Sequence, residues 1–466
     1  MPISKIVRTG ILAAIAATLT AVAATAQQSG SPAAAGPDPQ IAAALREISP
    51  ARIQQTIENL VGFYTRQTLS SDVPVIGGKG INAAADWIQG ELQRVSSQCG
   101  DCLEVRTDQF LQARGPRIPQ PTTITNVYAI LRGTDPANAG RIYVVTGHYD
   151  SRNSDAVDAA GQAPGANDDA SGTAVSLECA RVLSKHRFPA TIIFLTVAGE
   201  EEGLYGSAHF AKMTKAVGWD IAAVLNNDIV GGDRTPGDTQ QDPHVVRVFS
   251  EGISSTASEE ELRQTRSLGG ESDGPSRQLA RYVGEVAKEY LAAEDFRAML
   301  VFRHDRYLRG GDHESFNEQG YAAVRFTEFR ENYNHQHQNV RTENGVEYGD
   351  LPKFVDYDYT AKVARLNAAT LAELASAPAP PAEVRLLTKE LQNDSTLEWK
   401  ASPGGLATGY EVLWRDTTAP EWEHVKPVGN VTRVTVPVSK DNVIFAVRAV
   451  DAKGHRSLAM VPLPER

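Results

Sequence analysis

Metal-binding side chains recur along the middle of this sequence at the ends of short apolar segments. His148 and Asp150 follow the apolar run at 141–147. Because alternate residues of an extended chain point the same way, these two side chains should lie on one side. A histidine that binds a metal needs its second ring nitrogen held by an acceptor, and a neighbouring carboxylate can do this. The pattern fits a histidine ligand that is supported by an aspartate, although by itself it is equally typical of a polar surface loop.

Three acidic segments occupy comparable positions. The glycine-flanked pair at 168–169 precedes an apolar helical segment, three consecutive glutamates at 200–202 follow an apolar strand, and Asp228 ends another strand. Neighbouring carboxylates repel each other unless a cation or a helix amino terminus lies nearby. The glutamates suit a metal site in which one is a ligand and one is a base. Each segment alone would also fit a helix cap or a solvated helix start.

Two histidines, His335 and His337, complete the candidate set in a segment that follows a predicted strand. Five segments of this kind, each at or after a strand end, predict a common site at one edge of a sheet. Histidine and carboxylate ligands without cysteine favour paired zinc ions that share a carboxylate, as in two-metal hydrolases.

The segments that must position these residues alternate between strand and helix patterns. Continuous apolar runs such as 191–197 are typical of strands that are buried on both faces. The alternation predicts an α/β fold, a three-layer α/β/α sandwich with a mixed, mainly parallel sheet. A polar stretch at 235–274 is expected to be an insertion over one edge. The predicted strands are 103–110, 125–131, 141–147, 191–197, 222–227 and 322–327, and the predicted helices are 50–62, 81–97, 171–184, 205–214, 275–292 and 354–375.

A change of pattern near the carboxyl end predicts a second domain. Residues 377–382 are Pro-rich and indicate a stiff hinge. Beyond the hinge, short alternating apolar runs replace the helical patterns and predict a small C-terminal all-β sandwich domain at 383–466. The runs around Trp399, Tyr410 and Phe445 resemble those of a fibronectin type III module, a fold that implies no chemistry by itself.

The amino terminus has the pattern of an export signal. Lys5 and Arg8 precede the apolar stretch 11–24, and small residues follow it, which predicts a removable signal peptide at 1–26. A linker is expected at 27–39. The apolar stretch is too short for a spanning helix, although an uncleaved anchor is the alternative. The mature protein is therefore expected to be exported, either to the periplasm or fully out of the cell, with no membrane span.

The chain contains three cysteines, and export to an oxidising compartment would allow them to form disulfides. Cys99 and Cys102 have no second pair with which to complete a zinc site, so a local disulfide is expected between them. Cys179 lies in an apolar helical segment and is predicted to be a buried free thiol.

The overall composition narrows the function classes. The 466 residues are 41% hydrophobic and 22% charged, which are ordinary values for a globular protein and exclude disordered, collagen-like and polytopic membrane proteins. The formal net charge of −11 disfavours binding to nucleic-acid phosphates or anionic lipids. Partners are expected to be neutral or cationic molecules, or metal ions, and no nucleic acid.

The five segments with candidate metal ligands, taken in their order along the chain, resemble those of the secreted di-zinc aminopeptidases. This family includes glutamate carboxypeptidases and glutaminyl cyclases. The resemblance implies a zinc peptidase domain at 40–376 and two Zn²⁺ ions. It runs from about Asn126 to His337 and is carried by the segments 148–150, 165–172, 200–207, 227–228 and 333–337.

Carried over position by position, the resemblance implies a ligand set for each zinc ion. His148 and Asp228 would hold one ion. Glu201 and His337 would hold the other, and Asp168 would bridge the two.

The same resemblance implies the remaining roles. Glu200 would be the general base, and Asp150 would support the histidine ligand beside it. His335 competes with His337 for the ligand position. Glu202 departs from the family, because an apolar residue commonly stands at its position.

The implied activity is hydrolysis of the amino-terminal peptide bond of peptides with a free N-terminus, in an acidic cleft that suits an α-ammonium group. A carboxypeptidase or dipeptidase, or a glutaminyl cyclase, would keep the same site. From a different class, the chain could be a catalytically silent binding ectodomain. In the aminopeptidase interpretation, the C-terminal module is expected to be a passive spacer or to bind a protein or polysaccharide surface.

Overall fold

The computed structural model describes residues 36–73 and 79–465 of the chain. The predicted signal peptide at 1–26 and most of the predicted linker lie outside the described residues. The first described helix begins at Pro39, which was predicted to be the last linker residue, because Asp38 caps its first turn.

The described residues contain ten α-helices and seventeen strands. The helices are α1 (Pro39–Leu45), α2 (Pro50–Val61), α3 (Ile81–Gln98), α4 (Ala170–Leu183), α5 (Glu200–Gly203), α6 (Tyr205–Ala216), α7 (Glu259–Leu268), α8 (Pro275–Tyr290), α9 (Asp312–Asn317) and α10 (Tyr357–Ser376). The strands are β1 (Leu103–Gln112), β2 (Thr122–Leu131), β3 (Arg141–His148), β4 (Thr191–Val197), β5 (Asp220–Asn227), β6 (Val245–Ser250), β7 (Arg297–Val301), β8 (Ala323–Glu328), β9 (Arg341–Glu343), β10 (Val346–Tyr348), β11 (Ala382–Leu387), β12 (Ser395–Lys400), β13 (Gly409–Asp416), β14 (His424–Gly429), β15 (Arg433–Val436), β16 (Val443–Val450) and β17 (Leu463–Glu465).

The first eight strands form one mixed sheet with the order β1-β2-β4-β3-β5-β8-β6-β7. Its central strands β4, β3, β5 and β8 run parallel to one another. Strand β2 is antiparallel to both of its neighbours, β1 and β4. Strands β6 and β7 are parallel to each other, and β6 is antiparallel to β8. Every residue of β3 and β4 is buried, as their continuous apolar sequences predict for strands that are covered on both faces.

Helices cover both faces of this sheet. Val144 and Val145 are neighbours in β3, yet they belong to different core clusters because alternate side chains of a strand point to opposite faces. The face of Val145 packs against α4 and α10, and α2 in turn packs against these two helices. The face of Val144 packs against α6 and α9 through Phe210 and Phe316. The predicted three-layer α/β/α sandwich is therefore confirmed.

The predicted insertion at 235–274 is partly wrong, because this stretch contributes a strand to the sheet. It contains β6, which lies between β8 and β7. The six residues of β6 pair only with strands that come much later in the chain. A short apolar run within a polar stretch does not by itself predict a strand, so this one was missed. Helix α10 also begins later than the predicted 354, because Asp356 caps it.

The C-terminal residues form two small sheets, β15-β12-β11-β17 and β14-β13-β16. Trp399, Tyr410 and Phe445 lie in the apolar core that these strands enclose. The predicted all-β fold of this region is confirmed, and its likeness to fibronectin type III stays a prediction. Strand β11 begins at Ala382, the last residue of the predicted hinge.

Buried ion pairs fix this β-sandwich to α8. Asp273 lies 3.3 Å from Arg281 of α8 and 2.7 Å from Arg415 of β13, and all three side chains are at most 5% exposed. Burial lowers the pKa of the Arg281 guanidinium to about 10. Arg448 of β16 similarly lies 2.6 Å from Glu285 of α8. The sandwich is thus docked on the α/β domain and is not a loosely tethered spacer.

The cysteine predictions are confirmed. Cys99 and Cys102 form a disulfide, and Cys179 is buried and free. Within the described ranges, no helix combines the length and the apolar character that crossing a membrane requires.

We expect Asp273→Asn to lower the free energy of unfolding by about 3–5 kcal/mol, because it leaves two guanidinium groups buried without a carboxylate. Chemical denaturation followed by circular dichroism measures this change. The matched control is Asp238→Asn, which breaks an ion pair to Arg330 at the surface and should cost less than about 1 kcal/mol. Equal losses in the two variants would contradict this account of how the sandwich is held.

Candidate metal centre

The candidate residues come together because neighbouring parallel strands end at one edge of the sheet. Strand β3 ends at His148, β4 leads through Gly199 into the glutamates of α5, and β5 is followed by Asp228. Strand β3 lies between β4 and β5, so the three chain segments meet at their carboxyl ends. Ligand-binding residues of open α/β sheets collect at this edge for the same reason.

Two glycines allow α4 to approach β3 closely. A Cβ atom on Gly147 would lie 2.4 Å from the carbonyl carbon of Gly172, so only glycine fits at this crossing. The Asp169 carboxylate caps α4 through the Gly172 N–H at 2.9 Å and accepts the His148 N–H at 3.1 Å. Asp169 therefore fixes the backbone, and this leaves Asp168 to face the other candidates.

The carboxylate of Asp168 lies between two histidines. Its Oδ1 is 3.2 Å from His148 Nε2, and its Oδ2 is 2.9 Å from His337 Nε2. Glu201 Oε2 lies 3.1 Å from His337 Nε2, and Asp228 Oδ1 lies 3.8 Å from His148 Nε2. The five predicted ligands thus form two groups that share one carboxylate.

The structure places Asp150 where it can support His148. Its Oδ1 lies 3.3 Å from His148 Nδ1, and both side chains are fully buried. Its Oδ2 accepts the Glu201 N–H at 3.1 Å, which also holds the start of α5. His148 Nδ1 is hydrogen-bonded to the main-chain carbonyl of Asp150 at 3.2 Å. Nε2 of the ring is therefore turned towards the acidic group.

Glu200 lies close enough to the cluster for two different roles. Its Oε2 is 4.0 Å from His148 Nε2, and with His148 and Asp228 it forms a set of donor atoms within 4.8 Å of one another. Burial, together with the charges of Asp228 and Glu201, raises the pKa of Glu200 well above its ordinary value against the opposing effect of His148. Distance alone would allow Glu200 to be a ligand or a base.

The charges of the cluster are those of a cation site. Burial lowers the pKa of His337, but Glu201 and Asp168 outweigh this effect and raise it to about 10. Burial likewise opposes protonation of His148, yet Asp150 and Asp168 raise its pKa well above the ordinary value. The carboxylates therefore favour a positive charge at each histidine ring. A proton on the ring or a metal ion bound to it can supply this charge.

Three buried atoms at the cluster lack hydrogen-bond partners among the described residues. They are His148 Nε2, Asp150 Oδ1 and Glu201 Oε1. An unpaired buried polar atom is costly, and metal ions held by the two groups would engage the His148 nitrogen and the Glu201 carboxylate. Imidazole nitrogens with carboxylate oxygens are ligands that Zn²⁺ accepts, so the residues present fit the predicted metal.

The two competing histidines have different surroundings. His335 Nδ1 lies 3.0 Å from Asp233 Oδ1, and its ring stacks on Phe354 with 3.7 Å between centroids. His337 adopts a left-handed backbone conformation with φ 54° and directs its Nε2 at Asp168. The structure therefore brings His337, and not His335, to the acidic cluster.

Glu202, the acid that departs from the family pattern, points elsewhere. Its carboxylate accepts a hydrogen bond from Gln67 Nε2 at 2.7 Å, and it is 4% exposed. Burial raises its pKa well above the ordinary value, with Asp150 adding to the effect. Glu202 is thus a buried neighbour of the site that takes no part in either group.

Sequence reasoning missed several residues that contact the cluster. Arg325 of β8 is fully buried, and its Nη2 lies 2.9 Å from Asp228 Oδ1. Gln336 Nε2 donates to Asp168 Oδ2 at 3.1 Å. A signal for Arg325 was present, since a charged residue inside an apolar strand requires a buried partner. The cleft above the cluster also contains Arg117, Arg152, Arg306 and Arg309, which no motif indicated.

Comparison with known proteins adds independent findings. The model of Peptidase family M28 matches residues 126–349. A protein named "Probable zinc metalloprotease" from Pyrenophora teres f. teres is 46% identical over 433 residues, which cover 92% of this chain and 88% of that protein. A protein of the same name from Pyricularia oryzae is 47% identical over 435 residues, covering 92% of this chain and 85% of that one.

Among solved structures, the LapA aminopeptidase of Legionella pneumophila is similar in fold. The two chains superpose with a TM-score of 0.50 and share 21% sequence identity. The superposition covers 72% of this chain and 75% of LapA. At 21% sequence identity, the similarity concerns the fold alone.

We expect His337→Ala to lower the zinc bound per chain to about half of the wild-type value, because it removes the nitrogen that faces Asp168 and Glu201. Elemental analysis of dialysed protein measures the zinc content. In the matched variant His335→Ala, the zinc content should not change, because that ring contacts Asp233 and Phe354 instead. The reverse pattern would show that His335 is the ligand.

Proposed function

This chain belongs to Peptidase family M28 and is a zinc metallopeptidase, and on this premise we propose that it is an exported two-zinc exopeptidase that removes the amino-terminal residue of peptides. The observation that carries the two-zinc proposal is the position of Asp168. One of its oxygens faces each histidine, at 3.2 Å from His148 and 2.9 Å from His337. A single carboxylate shared in this way is what a pair of neighbouring metal ions requires.

The proposed ligands follow from these contacts. His148 and Asp228 would hold one zinc ion, and Glu201 and His337 would hold the other, with Asp168 between them. Asp150 would keep the His148 ring oriented through its Nδ1, a support that metal-bound histidines commonly have.

In this proposal Glu200 is the general base. Zinc ions held by these residues would supply Lewis acidity, which lowers the pKa of a water molecule and polarises the carbonyl of the scissile bond. Glu200 would accept the proton that the attacking water loses and then give it to the leaving amine. Its position at the amino end of α5, next to Glu201 and facing the cleft, supports this role. A buried carboxylate with a raised pKa suits a group that both takes and returns a proton.

The preference for a free amino terminus rests on the motif resemblance and on one carboxylate of the cleft. Glu314 lines the cleft, and its side chain is 25% exposed. Among the described residues, its one ion-pair neighbour is His304, whose Nδ1 lies 3.9 Å from Glu314 Oε1. Glu314 is therefore a candidate partner for the α-ammonium group of the substrate.

Export is supported by two independent features. Residues 1–26 carry the sequence pattern of a signal peptide, and Cys99 and Cys102 form a disulfide. Disulfides persist in oxidising compartments and are rare in the reducing cytosol.

We expect Glu200→Gln to keep its zinc and to lower kcat by about 100- to 10,000-fold, because the amide cannot accept the proton. Steady-state kinetics with zinc analysis of the same samples tests this. The matched control is Glu202→Gln two positions on, whose side chain contacts Gln67, and its kcat should stay near the wild-type value. If Glu200→Gln lost zinc instead, Glu200 would be a ligand and the base assignment would be wrong.

Zinc-dependent cleavage of aminoacyl substrates should require a free amino group. A panel of aminoacyl chromogenic substrates is compared with the N-acetylated forms, before chelation, after chelation and after zinc is returned. We expect cleavage of the free-amine forms only, abolished by chelation and restored by zinc. Equal cleavage of the acetylated forms would contradict the aminopeptidase proposal while leaving the metal site intact.

A further inference from the structure

We propose that Arg152 and Arg309, with Arg117 at the outer edge, form a subsite that binds a carboxylate of the substrate beside the metal-ligand residues. The preferred substrates would then be short peptides that carry a carboxylate next to the scissile bond. This carboxylate could be the carboxyl terminus of a dipeptide or an acidic side chain. The inference deepens the proposed function and rests on it.

Arg152 has free donors that face the cleft. It follows Asp150 directly, and its Nε donates to the Asn153 carbonyl at 3.2 Å. The same Nε lies 3.9 Å from Glu201 Oε2, which places the guanidinium beside one of the two ligand groups. Within the described residues, neither terminal nitrogen of Arg152 has a hydrogen-bond partner, although the side chain is only 15% exposed.

Arg309 lines the same cleft and belongs to the segment that precedes α9. Its Nη1 lies 2.7 Å from Glu331 Oε2, which fixes the side chain, and 30% of it remains exposed. The cleft is also lined by Asp168 and Asp228, one residue of each ligand group. The other donors of Arg309 have no partner among the described residues.

Arg117 lies at the mouth of the cleft. Its Nη1 donates to the Glu201 carbonyl at 2.7 Å, and the residue is exposed. In the described parts of the chain, no carboxylate lies within 4 Å of its guanidinium. Arg117 can therefore extend the subsite without having to break an existing ion pair.

The fourth arginine of the cleft, Arg306, has a structural role, because all of its side-chain nitrogens contact other residues of the chain. Arg306 contacts Asp305 at 2.9 Å, Glu331 at 2.8 Å and the Gly310 carbonyl at 3.1 Å. Its three nitrogens are all engaged, and only 10% of the side chain is exposed. Arg152, Arg309 and Arg117 differ from it in keeping free N–H groups at the cleft.

The charge of the cleft favours an anion once the metal site is filled. Five carboxylates and four arginines line the cleft. Two divalent ions would neutralise the carboxylates of the ligand residues. The positive charges of the guanidinium groups would then exceed the negative charges that remain in the cleft. Glu331 is already shared by Arg247, Arg306 and Arg309, so it cannot balance all of them. A planar guanidinium with free donors matches a carboxylate in shape and charge.

Three substrates separate the sources of the carboxylate. They are Leu-Ala, Leu-Ala-amide and Leu-Glu-amide. We expect kcat/KM to be highest for Leu-Ala, to fall for its amide, and to recover with Leu-Glu-amide if an acidic side chain also reaches the subsite. Equal values for Leu-Ala and Leu-Ala-amide would overturn the inference and leave the proposed function standing.

Substitution of the arginines tests the assignment directly. For Arg152→Gln and Arg309→Gln, the ratio of kcat/KM for Leu-Ala to that for Leu-Ala-amide should fall about 10- to 100-fold, the usual effect of losing a hydrogen bond to a charged group. The matched control is Arg114→Gln, an exposed arginine outside the cleft, which should keep the wild-type ratio. Zinc content is measured in each variant, and an unchanged ratio in both cleft variants would refute the subsite.

A binding measurement keeps the test independent of turnover. The probe is a Leu-Ala analogue with a methylene group in place of the scissile carbonyl, titrated into the zinc-loaded protein as the free acid and as the amide. The free acid should bind about 10- to 100-fold more tightly than the amide, and this preference should be lost in Arg152→Gln and Arg309→Gln. If no substrate is cleaved but the preference is found, the proposed function fails and the subsite stands. Equal binding of acid and amide would overturn the subsite.

Discussion

The shared position of the Asp168 carboxylate between His148 and His337 is the contact on which the rest of the site depends. Burying several carboxylates together is unfavourable, because each one loses hydration and repels the others. A positive charge at about 3–4 Å offsets this cost by a few kcal/mol at the dielectric constant that is typical of protein sites. The arrangement is therefore stable only while both rings face Asp168 with a cation, either a proton or a metal ion.

The fold supplies the rigidity that this contact needs. His148 is the last residue of a fully buried strand, and the glycine crossing of β3 and α4 fixes how far Asp168 can lie from it. Asp169 accepts hydrogen bonds from the backbone of both elements and therefore has a structural role. Its neighbour Asp168 faces the two histidines and is left to bind metal. Close-packed elements of this kind leave the ligands little freedom to move apart.

Around the acidic cluster lies a second set of charges that are mostly arginines. Arg325 is buried against Asp228, and Glu331 gathers three arginines at the side of the cleft. The β-sandwich is held in a similar way, through Asp273 between two buried guanidinium groups. Both cases use the same physical rule, that a charge taken out of water must meet an opposite charge with good geometry. Arg152 and Arg309 follow this rule too, since each lies near a carboxylate, but both keep further N–H groups free at the cleft. These free donors are the ones that we assign to the substrate.

The sequence by itself determined the layered α/β fold, the β-sandwich, the disulfide and the residues that could bind metal. These features depend on local signals, namely apolar runs, turn residues and acids at strand ends, and such signals are readable one segment at a time. The sequence did not reveal β6, because its pairing partners are distant in the chain. Only the tertiary structure separated His337 from His335, turned Glu202 towards Gln67, and brought the arginines to the cleft. These outcomes depend on which side chains meet across separate loops, and spacing along the chain does not fix such distances.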